Sequence, residues 1–124
     1  MNTKSITLGI GIVSLMVFFY GYAGATGQEI VTPGAPSALR LVIVPDGFKL
    51  SWQRSPQDPG AVTGYEIASS DLASGPFLKV ATVKKGVSEY IDTTASREII
   101  YYYKVRAVAE TERSPYSNTV TGER

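Results

Sequence analysis

Phe48-Lys49-Leu50-Ser51-Trp52-Gln53 alternates apolar and polar residues at every step. Successive side chains of an extended chain point to opposite faces, so this stretch predicts a strand that buries Phe48, Leu50 and Trp52 on one side. A helix would need a period near 3.6 residues. Working outward, Tyr65-Glu66-Ile67-Ala68-Ser69 repeats the alternation more weakly. Tyr101, Tyr103, Val105 and Ala107 define one face of a further strand, with Tyr102, Lys104 and Arg106 on the other. Turn formers punctuate the intervals: Pro45-Asp46-Gly47, Pro56 to Gly60, Ser74-Gly75-Pro76, Lys85-Gly86 and Ser114-Pro115. Strands are therefore expected near Ser37 to Val44, Gly47 to Gln53, Gly64 to Ser69, Leu78 to Val83, Ser88 to Asp92, Ile100 to Ala109 and Ser117 to Thr121. Such spacing indicates an all-β sandwich or barrel, and no segment after Ala25 carries a helical stripe.

Composition narrows the chemistry. A chain of 124 residues allows one domain and leaves little for a second. It contains no His and no Cys, which removes Ser-His-Asp and Cys-His nucleophilic sites, Cys/His zinc sites, haem and iron–sulfur ligation. No cofactor is expected. Without disulfides the fold must rest on one well-packed apolar core. Setting aside Lys4, the chain from Thr26 onward has 12 − 1 = 11 basic and 11 acidic residues, and so no net charge. That balance gives no electrostatic footprint for nucleic acid.

Residues 1–25 read as an export signal. Lys4 precedes the apolar stretch Ile6 to Phe19, and Ala23-Gly24-Ala25 offers the small residues of a cleavage site before Thr26. The rival reading is an uncleaved anchor, because the uncharged run Ile6 to Ala25 could just span a bilayer. Four glycines in that run, and the lack of a basic cluster after it, favour cleavage. Contact with a membrane is expected only if the segment stays uncleaved. Residues 26–35 then read as a linker, with the domain over 36–122, placed outside the cytoplasm: secreted, or held in the cell envelope or periplasm.

Several segments together resemble the fibronectin type III family. Pro36-x-x-Leu39-x-Leu41 is similar to its first strand, Leu50-Ser51-Trp52 to the second, and Gly64-Tyr65-Glu66-Ile67 to the third. Tyr90-Ile91-Asp92 resembles the fifth, Tyr101 to Val108 the sixth, and Ser114-Pro115-Tyr116-Ser117-Asn118 the entry to the last. The resemblance implies a seven-stranded antiparallel β-sandwich, immunoglobulin-like, with Trp52, Tyr65, Tyr101 and Val105 in the layer between two sheets. It makes Tyr101 a tyrosine corner, whose hydroxyl bonds backbone a few residues upstream. The family usually has a Leu six residues before that Tyr and then a Pro or Gly turn. Here Ala95 and Ser96-Arg97-Glu98 stand instead, which predicts a looser or differently packed crossing.

What such a domain does is expected to reside in contact rather than catalysis. The family often presents binding residues between its last two strands, which here are Glu110, Thr111, Glu112, Arg113 and Ser114. That implies a protein-interaction or adhesion module, with Ser55 to Thr63 and free strand edges as further surface, self-association through those edges included. A second reading is a carbohydrate-binding accessory domain that stacks sugars on exposed aromatics such as Tyr102 or Tyr116. A third is a passive structural subunit of a larger extracellular assembly. The plainer account of Tyr102 is cover for the sheet beside Lys104 and Arg106. Asp46, Asp58, Asp71 and Asp92 lie in or beside loops, but their spacing fits no calcium loop, and turn formation accounts for them.

Overall fold

The computed structural model describes residues Ile30 to Arg124; the expected export signal and most of the linker lie outside the described residues. Eight extended segments follow in order: β1 (Ser37–Val44), β2 (Gly47–Gln53), β3 (Gly64–Ser70), β4 (Leu78–Lys84), β5 (Glu89–Asp92), β6 (Tyr101–Ala109), β7 (Glu112–Arg113) and β8 (Val120–Gly122). They build two antiparallel sheets. The smaller runs β1-β2-β5 and the larger β8-β6-β3-β4, with β7 also paired to β6. Since β7 and β8 both pair with β6 away from β3, they are two pieces of one edge strand, and the architecture is a seven-stranded sandwich.

The alternation in β2 is what holds the layers together. Phe48 and Leu50 are fully buried and Trp52 is 6% exposed, while Lys49 and Ser51 face out. From the opposite sheet come Tyr65, Ile67, Tyr103, Val105 and Ala107, all in one apolar cluster with Leu39, Val62 and Ala95. Aromatic rings meet across the interface: Phe48 and Tyr103 edge-on at 5.9 Å, Trp52 and Tyr65 tilted at 5.7 Å. Burying each such side chain is worth roughly 1.5–3 kcal/mol. Within the smaller sheet β2 and β5 approach closely at Gly47, since a Cβ there would collide with the Asp92 carbonyl oxygen.

The last strand departs from the expected Ser117 to Thr121. Six residues, Ser114 to Thr119, run opposite four on β6, Lys104 to Ala107, so the ladder is interrupted. Pro115 has no N–H to offer it. Side chains take over: Ala107 N–H donates to Ser114 Oγ at 2.8 Å and Val105 N–H to Ser117 Oγ at 3.0 Å. Asn118 spans to β1, accepting from Leu39 N–H at 2.9 Å and donating to Leu39 carbonyl oxygen at 3.0 Å. Its amide thus does for the seam between the sheets what a backbone pair would do within one.

The crossing from β5 to β6 is not loose. Tyr101 Oη accepts a hydrogen bond from Ser96 N–H at 3.1 Å, five residues upstream. Ala95 is buried, and Arg124 closes over the crossing: its guanidinium donates to Ala95 carbonyl oxygen at 3.1 Å and to Pro45 carbonyl oxygen at 2.9 Å. Glu98 N–H adds a bond to the Arg124 carbonyl oxygen at 2.9 Å.

Candidate functional site

Functional chemistry has two places to sit, the loops at one end of the sandwich and the outward face of the larger sheet. At the loop end, β2 leaves the core through Arg54 and turns back at Thr63 to enter β3. Such a connection is held by its own polar groups or not at all. Tyr65 reaches up from β3, accepts from Ser55 N–H at 2.9 Å and donates to Asp58 Oδ2 at 2.8 Å. The same Asp58 oxygen takes Gly86 N–H at 2.8 Å, which ties in the turn between β4 and β5. Burial, and then the bond to Asp58, push the Tyr65 phenol up to about 12. Gln57 accepts from Gly34 N–H at 2.6 Å, and Thr32 bonds Glu112 at 3.2 Å. The chain ahead of β1 is therefore strapped onto these loops, with Pro33 and Pro36 fully buried.

Between the β2–β3 loop and the β4–β5 turn lies an open cleft of about 370 Å³, walled by Trp52, Gln53, Arg54, Ser55, Asp58 and Ser88. Trp52 exposes no ring face, and its indole N–H has no hydrogen-bond partner. The Arg54 guanidinium extends past Gly86, and among the described residues no carboxylate pairs with it.

On the outward face of the larger sheet, Glu66 lies opposite Arg106 in the β3–β6 register. It accepts from Arg106 Nε at 3.0 Å and Arg113 Nη2 at 3.1 Å, with Lys79 Nζ at 4.0 Å. Its side chain is only 8% exposed. Burial disfavours its charge, yet the two guanidinium bonds outweigh burial and hold the carboxyl below its ordinary range. Alongside, Lys104 Nζ sits 4.1 Å from the Phe77 ring centre and 4.2 Å from that of Tyr116, while the Arg106 guanidinium lies 4.8 Å from the same tyrosine. Cations stacked on rings in this way attract the negative faces of the π-systems.

The expected residues divide accordingly. Trp52, Tyr65 and Val105 are buried in one cluster, and Tyr101 is half-buried against it. Glu110 to Ser114 is not an extended loop. Only Glu110 and Thr111 turn, with Glu110 at φ 53°; Glu112 and Arg113 are β7, and Ser114 is buried against Ala107. The turn is short because β7 pairs with β6 immediately, through Ala109 and Glu112. Tyr116 is half-buried with its ring occupied by Lys104 and Arg106, and Tyr102 is half-buried within β6. Asp58 engages one oxygen, Oδ2, and Asp92 both, accepting from Thr94 N–H at 2.9 Å and from Tyr103 Oη at 2.5 Å. Among the described residues no group of three or more His, Cys, Asp or Glu gathers to hold a metal.

The Glu66 hub and the Asp58 clamp escaped sequence reasoning. Alternation put Glu66 and Arg106 on outward positions, but only the strand register places them side by side.

No family model matches the chain. A curated relative, an amylopullulanase of Thermoanaerobacter thermohydrosulfuricus, is 40% identical over 93 residues, covering 75% of this chain. The chain spans only 6% of that relative's length. Among solved structures, an Fn3-like protein from Clostridium thermocellum superposes with a TM-score of 0.63 at 26% identity, over 73% of this chain and 92% of that one. A β-1,2-glucanase from Parabacteroides distasonis matches with a TM-score of 0.64 at 22% identity, over 80% of this chain and 14% of its own.

Proposed function

We propose, from the premise that this chain carries a fibronectin type III domain, that it serves outside the cytoplasm as a non-catalytic accessory module to enzymes acting on polysaccharides. One observation carries this reading: a segment 40% identical to the chain makes up a small fraction of a far longer amylopullulanase. A domain that recurs as one link in such an enzyme is a unit of attachment or spacing, and function is argued from its surfaces rather than from the fold. The physical picture agrees. The two most buried carboxylates are committed to the fold, Glu66 to two arginines and Asp92 to Tyr103 and Thr94.

The contact surface offered to a protein partner is the outward face of the larger sheet together with its free edge. Arg106, Arg113 and Lys79 surround the Glu66 carboxylate there, Lys104 lies over the Phe77 ring, and β4 exposes Leu78 and Val80 beside Lys79. Affinity capture by the full chain from the culture medium of its source tests the reading. Recovery of a secreted glycoside hydrolase, lost on Arg113→Glu, is expected. Polysaccharide hydrolysis by the chain alone, or capture without any such enzyme, overturns it.

A further inference from the structure

We infer that the cleft between the β2–β3 loop and the β4–β5 turn is a subsite for one neutral, polyhydroxylated unit of sugar size. The inference deepens the accessory-module reading and rests on it, but it moves carbohydrate contact away from the aromatic residues. Tyr116 cannot stack a sugar on the face that Lys104 and Arg106 occupy, and Trp52 keeps its ring against Tyr65 in the core.

What the cleft offers instead is a set of directional groups with capacity left over. Asp58 uses only Oδ2, for Tyr65 and Gly86. Gln53 lends its Oε1 to Ser37 at a long 3.4 Å, which leaves its amide N–H groups free. The exposed Arg54 carries five donors in a fixed fork, and among the described residues it pairs with no acid. Beneath them, Trp52 is almost fully buried and closes the floor of the cleft.

The charges choose the ligand class. Arg54 and Asp58 stand in the same wall, so an anion would meet the carboxylate and a cation the guanidinium. A pair of neighbouring hydroxyls suits both, because each can donate to Asp58 and accept from Arg54 or Gln53. The walls are polar, which disfavours an apolar guest, and a volume of about 370 Å³ lies at the small end of the range for ligand sites. With hydrogen bonds exposed to water and no stacking, affinity is expected to be roughly millimolar.

Trp52 is the lone tryptophan and lines the cleft, so its indole N–H gives one cross-peak in a ¹H–¹⁵N spectrum that senses a guest bound beside the ring. The full chain is titrated with maltotriose, and separately with sodium acetate as the anion arm. A saturable displacement with maltotriose is expected, weakened about tenfold or more in Arg54→Ala and unchanged in Tyr116→Ala. A thermal melt of Arg54→Ala that overlays the parent shows the loss to be one of contact. The inference is overturned if maltotriose leaves the peak still into the tens of millimolar, if Arg54→Ala binds as well as the parent, or if acetate reproduces the shift. Enzyme capture that succeeds beside a silent titration removes the subsite and leaves the accessory role standing.

Discussion

Both ends of this sandwich are fastened by a tyrosine hydroxyl, and they are fastened to opposite effect. At the end where β5 crosses to β6, Tyr101 bonds Ser96, while Arg124 closes over the carbonyls of Ala95 and Pro45. At the other, Tyr65 bonds Ser55 and Asp58, and Asp58 pulls in Gly86, yet the frame they make stays open around a polar cleft. The first end spends most of its polar groups on the fold, with Arg124 Nε alone left buried and unpartnered there among the described residues. The second spends only some of them, and that surplus is what distinguishes a place that can recognise something from one that merely ends a strand.

The comparison breaks altogether if the layer between the two ends is removed. Trp52→Ala should cost about 3–5 kcal/mol, against a total of about 5–15 kcal/mol for a domain of this size. A denaturant titration should find the variant unfolded or nearly so. A cooperative transition close to the parent's would mean that Trp52 does not link the loop end to the core.

Next in size is the closed end in acid. Asp92 is buried; burial opposes its charge, but the bonds from Thr94 and Tyr103 prevail and its pKa lies below the ordinary 3.8. A carboxyl depressed on folding stabilises above its unfolded pKa and loses that contribution as pH falls through the folded value. The melting temperature should therefore drop as pH is lowered from about 4. Asp92→Asn should flatten that drop, and should cost about 1–3 kcal/mol at neutral pH. An acid profile identical to the parent's would show that Glu66, also depressed, carries the dependence instead.

How much of the two ends could be read from the sequence follows from the range of the forces involved. The core was legible because strand alternation is a local signal, and Phe48, Leu50, Trp52, Tyr103 and Val105 all lie where period two puts them. The tyrosine corner at Tyr101 was legible through a family resemblance. Arg124 closing that corner was not, because a residue 29 positions from Ala95 reveals nothing of its contact until the chain is folded. The same holds for Asp58 with Gly86, 28 positions apart. Ser114 and Ser117 were read as a turn and a strand start, when their hydroxyls in fact replace ladder bonds to β6. Side-chain to backbone bonds of this kind compete with regular pairing, and propensity alone does not decide between them.

Smaller effects sharpen the contrast between the two tyrosines. Tyr65→Phe removes the bond to Asp58 and leaves Ser55 N–H buried without a partner, so a loss of about 1–3 kcal/mol is expected. Tyr101→Phe frees only Ser96 N–H, which is exposed and can turn to water, and should cost at the low end of about 0.5–1.5 kcal/mol. Alkali separates them in another way. A phenol raised on folding stabilises below its unfolded pKa and loses that contribution as pH rises, so the Tyr65 share should fade between 10 and about 12. Chemical denaturation at rising pH, compared with Tyr65→Phe, checks this; equal losses for the two Phe variants would erase the distinction.

The smallest expected change concerns Arg54. Its side chain is exposed, pairs with no carboxylate among the described residues, and bonds nothing that either end needs to stay folded. Surface substitutions of this sort lie within about ±0.5 kcal/mol, so Arg54→Ala should melt with the parent. A larger loss would mean that the guanidinium braces the β4–β5 turn through Gly86, and the open end would then be as fully committed to the fold as the closed one. No loss means that a charged donor stands at the mouth of a cleft without serving the fold, which is the condition under which its N–H groups are free for a ligand.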